Sequence, residues 1–353
     1  MKKVIIWTSG IDKLIEGDGV VGGLTVQMYF WAKAFLSNGY KVYSFSKSGC
    51  NKIEGIHFIR WNNFRWIGLI TDMLFAFIYI IKLRPDYIIN RGAGRNLFIL
   101  SLLSKVFFIK LIHMGASDTD YEPSKELIAG HTIQRKLYQI GLKYVDYFIA
   151  QNKKQSTLLK DIYNKNNIII PNIWLENNLK TPEEKREFIL WVSNFRELKR
   201  PKWFIELARK NKDCHFVMIG AAFDNQLYSN CEEMADATEN LSFLGAMSLQ
   251  EVNKKFAQAK FFVCTSYIEG FPNTFLQSWS NGIPVITTFD PSGIVKEQGL
   301  GIVVNNEVEL NYAVRKLLSD EMLYKELSYN VNKYFIDKHS IKVQFEKLIN
   351  YII

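Results

Sequence analysis

Short apolar runs alternate with longer helix-forming segments along almost the whole of this 353-residue chain, and midway the alternation starts afresh. The first series predicts strands at Lys3–Thr8, Val42–Phe45, His57–Arg60, Tyr87–Asn90, Phe108–His113, Tyr147–Gln151 and Ile168–Ile170. The second predicts them at Phe188–Val192, His215–Ile219, Leu241–Phe243, Phe261–Thr265, Pro284–Thr287 and Gly301–Val304. Strands this short and apolar, interleaved with helices, fit a parallel sheet covered on both faces. The length exceeds one ordinary core and fits two. The series meet in a polar segment, Pro171 to Arg186, rich in Asn, Glu and Lys with a second proline at 182, which reads as a linker. The expectation is an α/β chain with Rossmann-like domains at residues 1–183 and 184–337, and an amphipathic helix closing the tail at residues 338–353. The cleft between the domains is then the expected active site.

Composition excludes several classes. With 48% apolar and 22% charged residues, no low-complexity tract and no repeat of solenoid period, the chain reads as soluble and globular. Two lysines and four apolar residues at the N-terminus make a first strand, not a signal peptide. Cys50, Cys214, Cys231 and Cys264 are scattered, which fits a reducing cytosol and suggests neither a zinc site nor a disulfide framework. The net charge of +9 is uneven: residues 1–170 hold 23 basic and 12 acidic side chains (+11), the rest 21 and 23 (−2). No nucleic-acid motif accompanies that excess. An anionic membrane surface is the other partner it suits, at roughly 1 kcal/mol per basic residue near the surface. The apolar stretches Trp66–Ile81 and Leu97–Ile109 are shorter than the roughly 20 residues needed to span a bilayer. Each reads as a helix buried against the sheet. The alternating basic and indole residues from Arg60 to Trp66 also suit a lipid headgroup region, so peripheral membrane contact stays open.

Four segments carry candidate chemistry. Glu269 to Pro284, EGFPNTFLQSWSNGIP, follows an apolar strand and reads as a tight loop, a helix from Thr274 to Trp279 that stops at Asn281-Gly282, and a further strand. It sets a carboxylate and free amides at a helix N-terminus, a natural place for a polar anionic ligand. Gly22-Gly23, after a polar loop over Ile11–Gly19, opens a helix to Ser37 and lets backbone approach phosphate. Trp191 to Pro201 follows the first strand of the second series and carries Arg196, Lys199 and Arg200, either an anion site or a solvated basic turn. Arg91-Gly92-Ala93-Gly94-Arg95 is either a cradle for an acceptor phosphate or a basic turn. His113 ends a strand and so could face a cleft, although a lone histidine is more often structural. No G-x-G-x-x-G follows the first strand, which argues against a dehydrogenase.

The Glu269–Pro284 segment resembles the signature of the retaining, sugar-nucleotide-dependent glycosyltransferases of family four, which have the GT-B fold. In their pattern two glutamates are separated by seven residues: Glu269 matches the first and Gln277 replaces the second. The Trp191–Pro201 loop is similar to the family's diphosphate-binding loop. Lys199 matches its lysine, but Asn194 stands where its arginine should be, with Arg196 two positions on. The resemblance implies that Lys199 and Arg196 stabilise a leaving diphosphate beside Gly22 and Gly23. It further implies that Glu269, with Gly270, Phe271, Pro272, Asn273 and Thr274, holds the donor sugar, that Gln277 meets the ribose, and that His113 lies near the reacting carbon. Apart from the resemblance, Arg91 and Arg95, if not a plain basic turn, and Asp118 are candidates to face the acceptor. By the same analogy the last helix crosses back to the first domain. Asp118-Thr119-Asp120 matches the metal motif of the other major glycosyltransferase fold; here protein cations do that work, and no metal or other cofactor is expected. The implied reaction moves a sugar from a nucleotide diphosphate donor to a hydroxyl of a glycan or lipid-linked glycan, at the cytosolic face, in bacterial surface polysaccharide assembly. A nucleotide-sugar epimerase, or a non-catalytic donor-binding subunit, is the alternative.

Overall fold

The computed structural model describes residues 1–16, 22–47, 52–61, 68–122, 132–176, 182, 185–269 and 271–353, the side chains of residues 68–70, 118 and 132 apart. These divide into two compact units, one of residues 1–16, 22–173 and 341–353, the other of residues 174–340.

The first unit runs β1 (Lys3–Ser9), α1 (Ile11–Glu16), α2 (Gly23–Ser37), β2 (Lys41–Ser46), β3 (Lys52–Ile53), β4 (Ile56–Arg60), α3 (Gly68–Leu83) and β5 (Tyr87–Arg91). It continues through α4 (Asn96–Val106), β6 (Lys110–Met114), α5 (Thr132–Lys143), β7 (Tyr147–Ala150), α6 (Lys153–Asp161) and β8 (Asn167–Ile169). The sheet order is β3-β4-β2-β1-β5-β6-β7-β8, and every pairing is parallel except β3 with β4. Val4, Ile5 and Ile6 of β1 pair with Tyr87, Ile88 and Ile89 of β5, and all six are buried, as a strand covered on both faces requires. The order reverses at β1 and β5, the place where open α/β sheets take ligands.

The second unit runs β9 (Phe188–Val192), α7 (Pro201–Lys210), β10 (Phe216–Ile219), α8 (Asn225–Asp236), β11 (Leu241–Phe243), α9 (Leu249–Gln258), β12 (Ala259–Cys264) and α10 (Asn273–Ser280). It ends with β13 (Val285–Thr287), α11 (Ile294–Glu297), β14 (Gly301–Val303), α12 (Glu307–Ser319) and α13 (Glu321–His339). Its six strands are all parallel in the order β11-β10-β9-β12-β13-β14, with the reversal at β9 and β12. α14 (Ile341–Ile352) belongs to the first unit. Its Phe345 meets Phe35 of α2 edge-on at 5.0 Å, and Lys347 donates to the carbonyl of Ile169 (2.7 Å).

Three sequence expectations change. The units divide after Ile173, not after residue 183. The Gln27 amide grips the Ile173 backbone, taking its N–H (2.9 Å) and donating to its carbonyl (3.0 Å), whereas Trp174 donates its N–H to His339 (3.0 Å). Part of the expected loop Ile11–Gly19 is helix α1, anchored by buried Ile11 and by Asp12, which accepts from Ser46. The two-residue β3 was not foreseen, because it is too short to carry a pattern of its own. Of the two apolar stretches, α3 is two-faced: Ala76 and Ile80 are buried, while Met73, Leu74, Phe77, Ile78 and Ile81 are exposed. Among the described residues no helix is long and apolar enough to cross a membrane. Residues 62–66 of the basic-aromatic flank, and Cys50, lie outside the described residues.

Candidate functional site

In the C-terminal unit the loops after β9 and β12, the two strands at the reversal, are stitched into one surface. Thr265 is the knot. Its hydroxyl donates to the Lys199 carbonyl (2.6 Å) and accepts from Trp191 Nε1 (3.0 Å), while its own carbonyl accepts from Arg200 Nε (2.8 Å). Arg200 also donates to Thr288 Oγ1 (3.0 Å), and Tyr267 N to the Leu198 carbonyl (2.8 Å). Arg200, in the left-handed region at φ 47° and followed by Pro201 at the start of α7, is therefore a structural brace. Gly220 ends β10 against this loop. A Cβ there would lie 1.8 Å from the Ser193 carbonyl oxygen, so only glycine admits the approach.

This framework brings Lys199 and Glu269 together, although they are 70 residues apart in sequence. Their side chains form an ion pair and are 14% and 18% exposed, and Ser266 Oγ donates to the same carboxylate oxygen (2.8 Å). Arg196 lies flat on the Phe223 ring, 3.5 Å from its centre, and makes no ion pair with a described residue. Among the described residues no carboxylate offsets its charge, whereas the Lys199–Glu269 pair is internally neutral. Asn194 sits at the mouth of β9, in the same loop. α10 begins at Asn273 with Pro272, which has no side-chain donor or acceptor, as its cap, so Asn273 and Thr274 stand in the first turn of a helix whose N-terminal dipole favours an anion. Phe271 precedes it, packed against Trp279 and His339 at 6.1 and 5.3 Å. Gly270 lies outside the described residues. Gln277 is 4% exposed and donates its amide to Asn253 of α9 (2.8 Å). An ionised glutamate could not donate there, which gives this departure from the family pattern a local reason. Trp191, Thr265 and Ser266 were not singled out from the sequence; hydroxyl and indole groups at strand ends carry no periodic signal.

In the N-terminal unit Gly22 caps α2 with its backbone exposed and nothing within 4 Å of where a Cβ would lie, and Gly23 is the first helical residue. Gly92, at φ +77°, lies where a Cβ would press on Leu24 (3.1 Å) and Ala116 (3.3 Å), so the loops after β1, β5 and β6 converge. Asp120 secures the third of these, accepting from the amides of Ala116 (2.7 Å) and Ser117 (3.2 Å). Asp120 is thus engaged with backbone; the Asp118 side chain lies outside the described residues. Among the described residues no group of three or more His, Cys, Asp or Glu side chains is placed to hold a metal ion.

Two expectations for this unit are corrected. His113 does not face a cleft. It is fully buried, with Nδ1 against Asn90 Oδ1 (2.9 Å) and Nε2 against the Tyr138 hydroxyl (3.1 Å), ringed by Tyr121 and Phe148. Burial, with Arg91 nearby, lowers its pKa to about 3, so the ring is a neutral structural element. Arg95 is not a free cation for a phosphate, and Arg91 is held by a neutral amide. Arg91 donates to Asn172 Oδ1 (2.6 Å), and burial lowers its pKa to about 10 against the opposing pull of Asp120 and Tyr121. Arg95 pairs with Asp72 at 3.1 Å.

The two sheets, each with its strand order reversing at the first strand, are those of a GT-B protein. The fold matches the sucrose-phosphate synthase of Thermosynechococcus elongatus with a TM-score of 0.75 at 15% identity, over 99% of this chain and 98% of that one. It also matches a putative UDP-N-acetylglucosamine 2-epimerase from Listeria monocytogenes with a TM-score of 0.69 at 13% identity, over 100% and 96%. Residues 174–334, nearly all of the C-terminal unit, match the family model of the glycosyl transferases group 1. An uncharacterized glycosyltransferase of Methanocaldococcus jannaschii is 24% identical over 255 residues, which is 64% of this chain and 61% of that protein's length.

Proposed function

We propose that this chain is a glycosyltransferase that moves a hexose-type sugar, with retention and without a metal, from a nucleotide diphosphate to a hydroxyl of a glycan or lipid-linked glycan in bacterial surface polysaccharide assembly. The observation that carries the reading is the cluster at the ends of β9 and β12. A guanidinium with no ion pair among the described residues (Arg196), a lysine held by a carboxylate (Lys199 and Glu269) and the N-terminus of α10 lie on loops tied together by Thr265. Such fixed cations and dipoles stabilise negative charge as it builds on a departing diphosphate. Glu269 would accept from sugar hydroxyls, and Asn194, Gln277 and residues 270–274 would line the rest of the donor site. Gly22 and Gly23 would offer backbone N–H groups to the donor phosphates. The basic N-terminal unit, with the exposed apolar face of α3, supports work at an anionic cytosolic membrane surface, where a lipid-linked acceptor resides.

Thermal-shift titration against a panel of nucleoside diphosphates and their sugars tests this. A nucleotide that binds the folded state alone raises the melting temperature by mass action. Turnover with the best donor should be unchanged in excess chelator, and its loss there would overturn the metal-independent mechanism. The epimerase relative makes a second outcome concrete: donor interconversion without transfer to any acceptor would assign the chain to that chemistry. Nucleotide binding with neither reaction would assign it to a donor-binding subunit.

A further inference from the structure

A cavity of about 330 Å³ opens in the N-terminal unit between Trp61, the start of α3, the loop after β5 and α5, within the roughly 300–1,000 Å³ typical of ligand sites. Its lining includes Trp61, Asp72, Arg95, Asn96, Gln134 and the backbone of Ala93-Gly94. We infer that this is a subsite for a neutral pyranose ring of the acceptor; its place in the reaction rests on the transferase reading above, but the binding itself does not.

Charge selects against a phosphate. Arg95 Nη2 donates to Asp72 Oδ2 at 3.1 Å, and the Asp72 side chain is only 6% exposed against 34% for Arg95, so the two charges cancel within the wall. Hydrogen-bonding capacity selects for hydroxyls. The Asn96 amide oxygen is buried with no donor to satisfy it, a state native proteins seldom tolerate in a closed wall. A sugar hydroxyl could supply that donor, whereas an ionised carboxylate has no proton to give. Gln134 adds an amide with no side-chain partner among the described residues, and the outer edge of the Asp72–Arg95 pair adds a donor and an acceptor. The aromatic element is fixed in advance. Trp61 stacks on Phe75 (5.2 Å, 15° between planes) and meets Phe45 edge-on at 5.2 Å, which holds its indole at the cavity as an apolar surface with a polar tip.

The test is fluorine NMR of the whole chain carrying fluorotryptophan, with the Trp61 resonance assigned from Trp61→Phe. The titrants are methyl hexopyranosides, N-acetylated ones included, and inorganic phosphate, with no nucleotide present. At least one methyl glycoside should shift the Trp61 resonance with millimolar affinity, and phosphate should not. Gln134→Ala should weaken that binding by about 2- to 10-fold, the loss of one net hydrogen bond. Asp72→Asn uncovers the Arg95 charge, so phosphate should now perturb Trp61 while the sugar weakens; the dispersed spectrum itself reports that the variant is folded. A silent Trp61 across the glycoside panel, a response to phosphate in the unaltered protein, or an Asp72→Asn protein still blind to phosphate would each overturn the assignment. Because no donor is involved, a failed transfer reaction and a failed subsite give different results.

Discussion

Replacing Lys199 by Ala should cost turnover and stability in separable amounts. Lys199 and Glu269 are mostly but not wholly buried, so the pair lies between a surface bridge worth up to about 1 kcal/mol and a buried one whose breaking costs about 3–5. Loss of the lysine leaves the carboxylate with Ser266 as its hydrogen-bond donor among the described residues, and the structural cost should be about 1–3 kcal/mol. The cost to chemistry is independent of that: one pre-set donor facing a developing anion is worth about 100-fold in turnover or more, or ~2.7 kcal/mol. Lys199→Ala with Glu269→Ala removes the stranded charge. Denaturant unfolding of the single and double variants, beside turnover measured with the donor found by thermal shift, separates the effects. The double variant should regain most of the stability and none of the turnover. If Lys199→Ala turned over within threefold of the parent, or if the double variant recovered activity, Lys199 would be a structural cation and the leaving-group argument would fail.

Three further outcomes follow from particular contacts. Gly220→Ala should destabilise by about 3 kcal/mol or more, read as a lower urea midpoint, since its Cβ would lie 1.8 Å from a carbonyl oxygen and neither backbone can yield freely. His113 has its folded pKa lowered from 6.5 to about 3, so its contribution is whole above pH 6.5 and is lost as the pH falls toward 3. The slope is about 1.4 kcal/mol per pH unit, and His113→Gln should flatten that limb of the stability–pH profile; parallel profiles would show the imidazole is not buried and neutral. Vesicles rich in anionic lipid should bind the chain at low salt and release it at high salt, and Leu74→Glu with Ile78→Glu should abolish sedimentation with them, since both residues lie on the exposed face of α3.

Much of the architecture was legible because buried parallel strands announce themselves locally. The runs at Phe188–Val192 and Leu241–Phe243 needed no knowledge of their neighbours, and β1 to β14 fall within a few residues of the expected runs, β3 excepted. The Lys199 and Glu269 loops were legible from their motif. What escaped depends on side chains that meet over long separations. A histidine at a strand end looks the same whether it faces solvent or Tyr138, and only packing of α5 against the sheet decides. Arg95 reads as a cation until Asp72, on another helix, cancels it. Nor does an isolated Trp61 reveal that Phe75 will present it at a cavity.

The placement of α14 bears on how the chain acquires its structure during synthesis. Residues 341–353 belong to the first unit, yet leave the ribosome only after the whole of residues 174–340. At roughly 5–20 residues per second that interval is about ten to thirty seconds, during which Phe35 lacks the ring of Phe345 and the flank of α2 stays wet. The C-terminal unit, continuous among the described residues, can close before the N-terminal one is finished, which inverts the usual vectorial order. A nascent-chain protease pulse should therefore find residues 174–340 resistant while residues 22–173 are still cut.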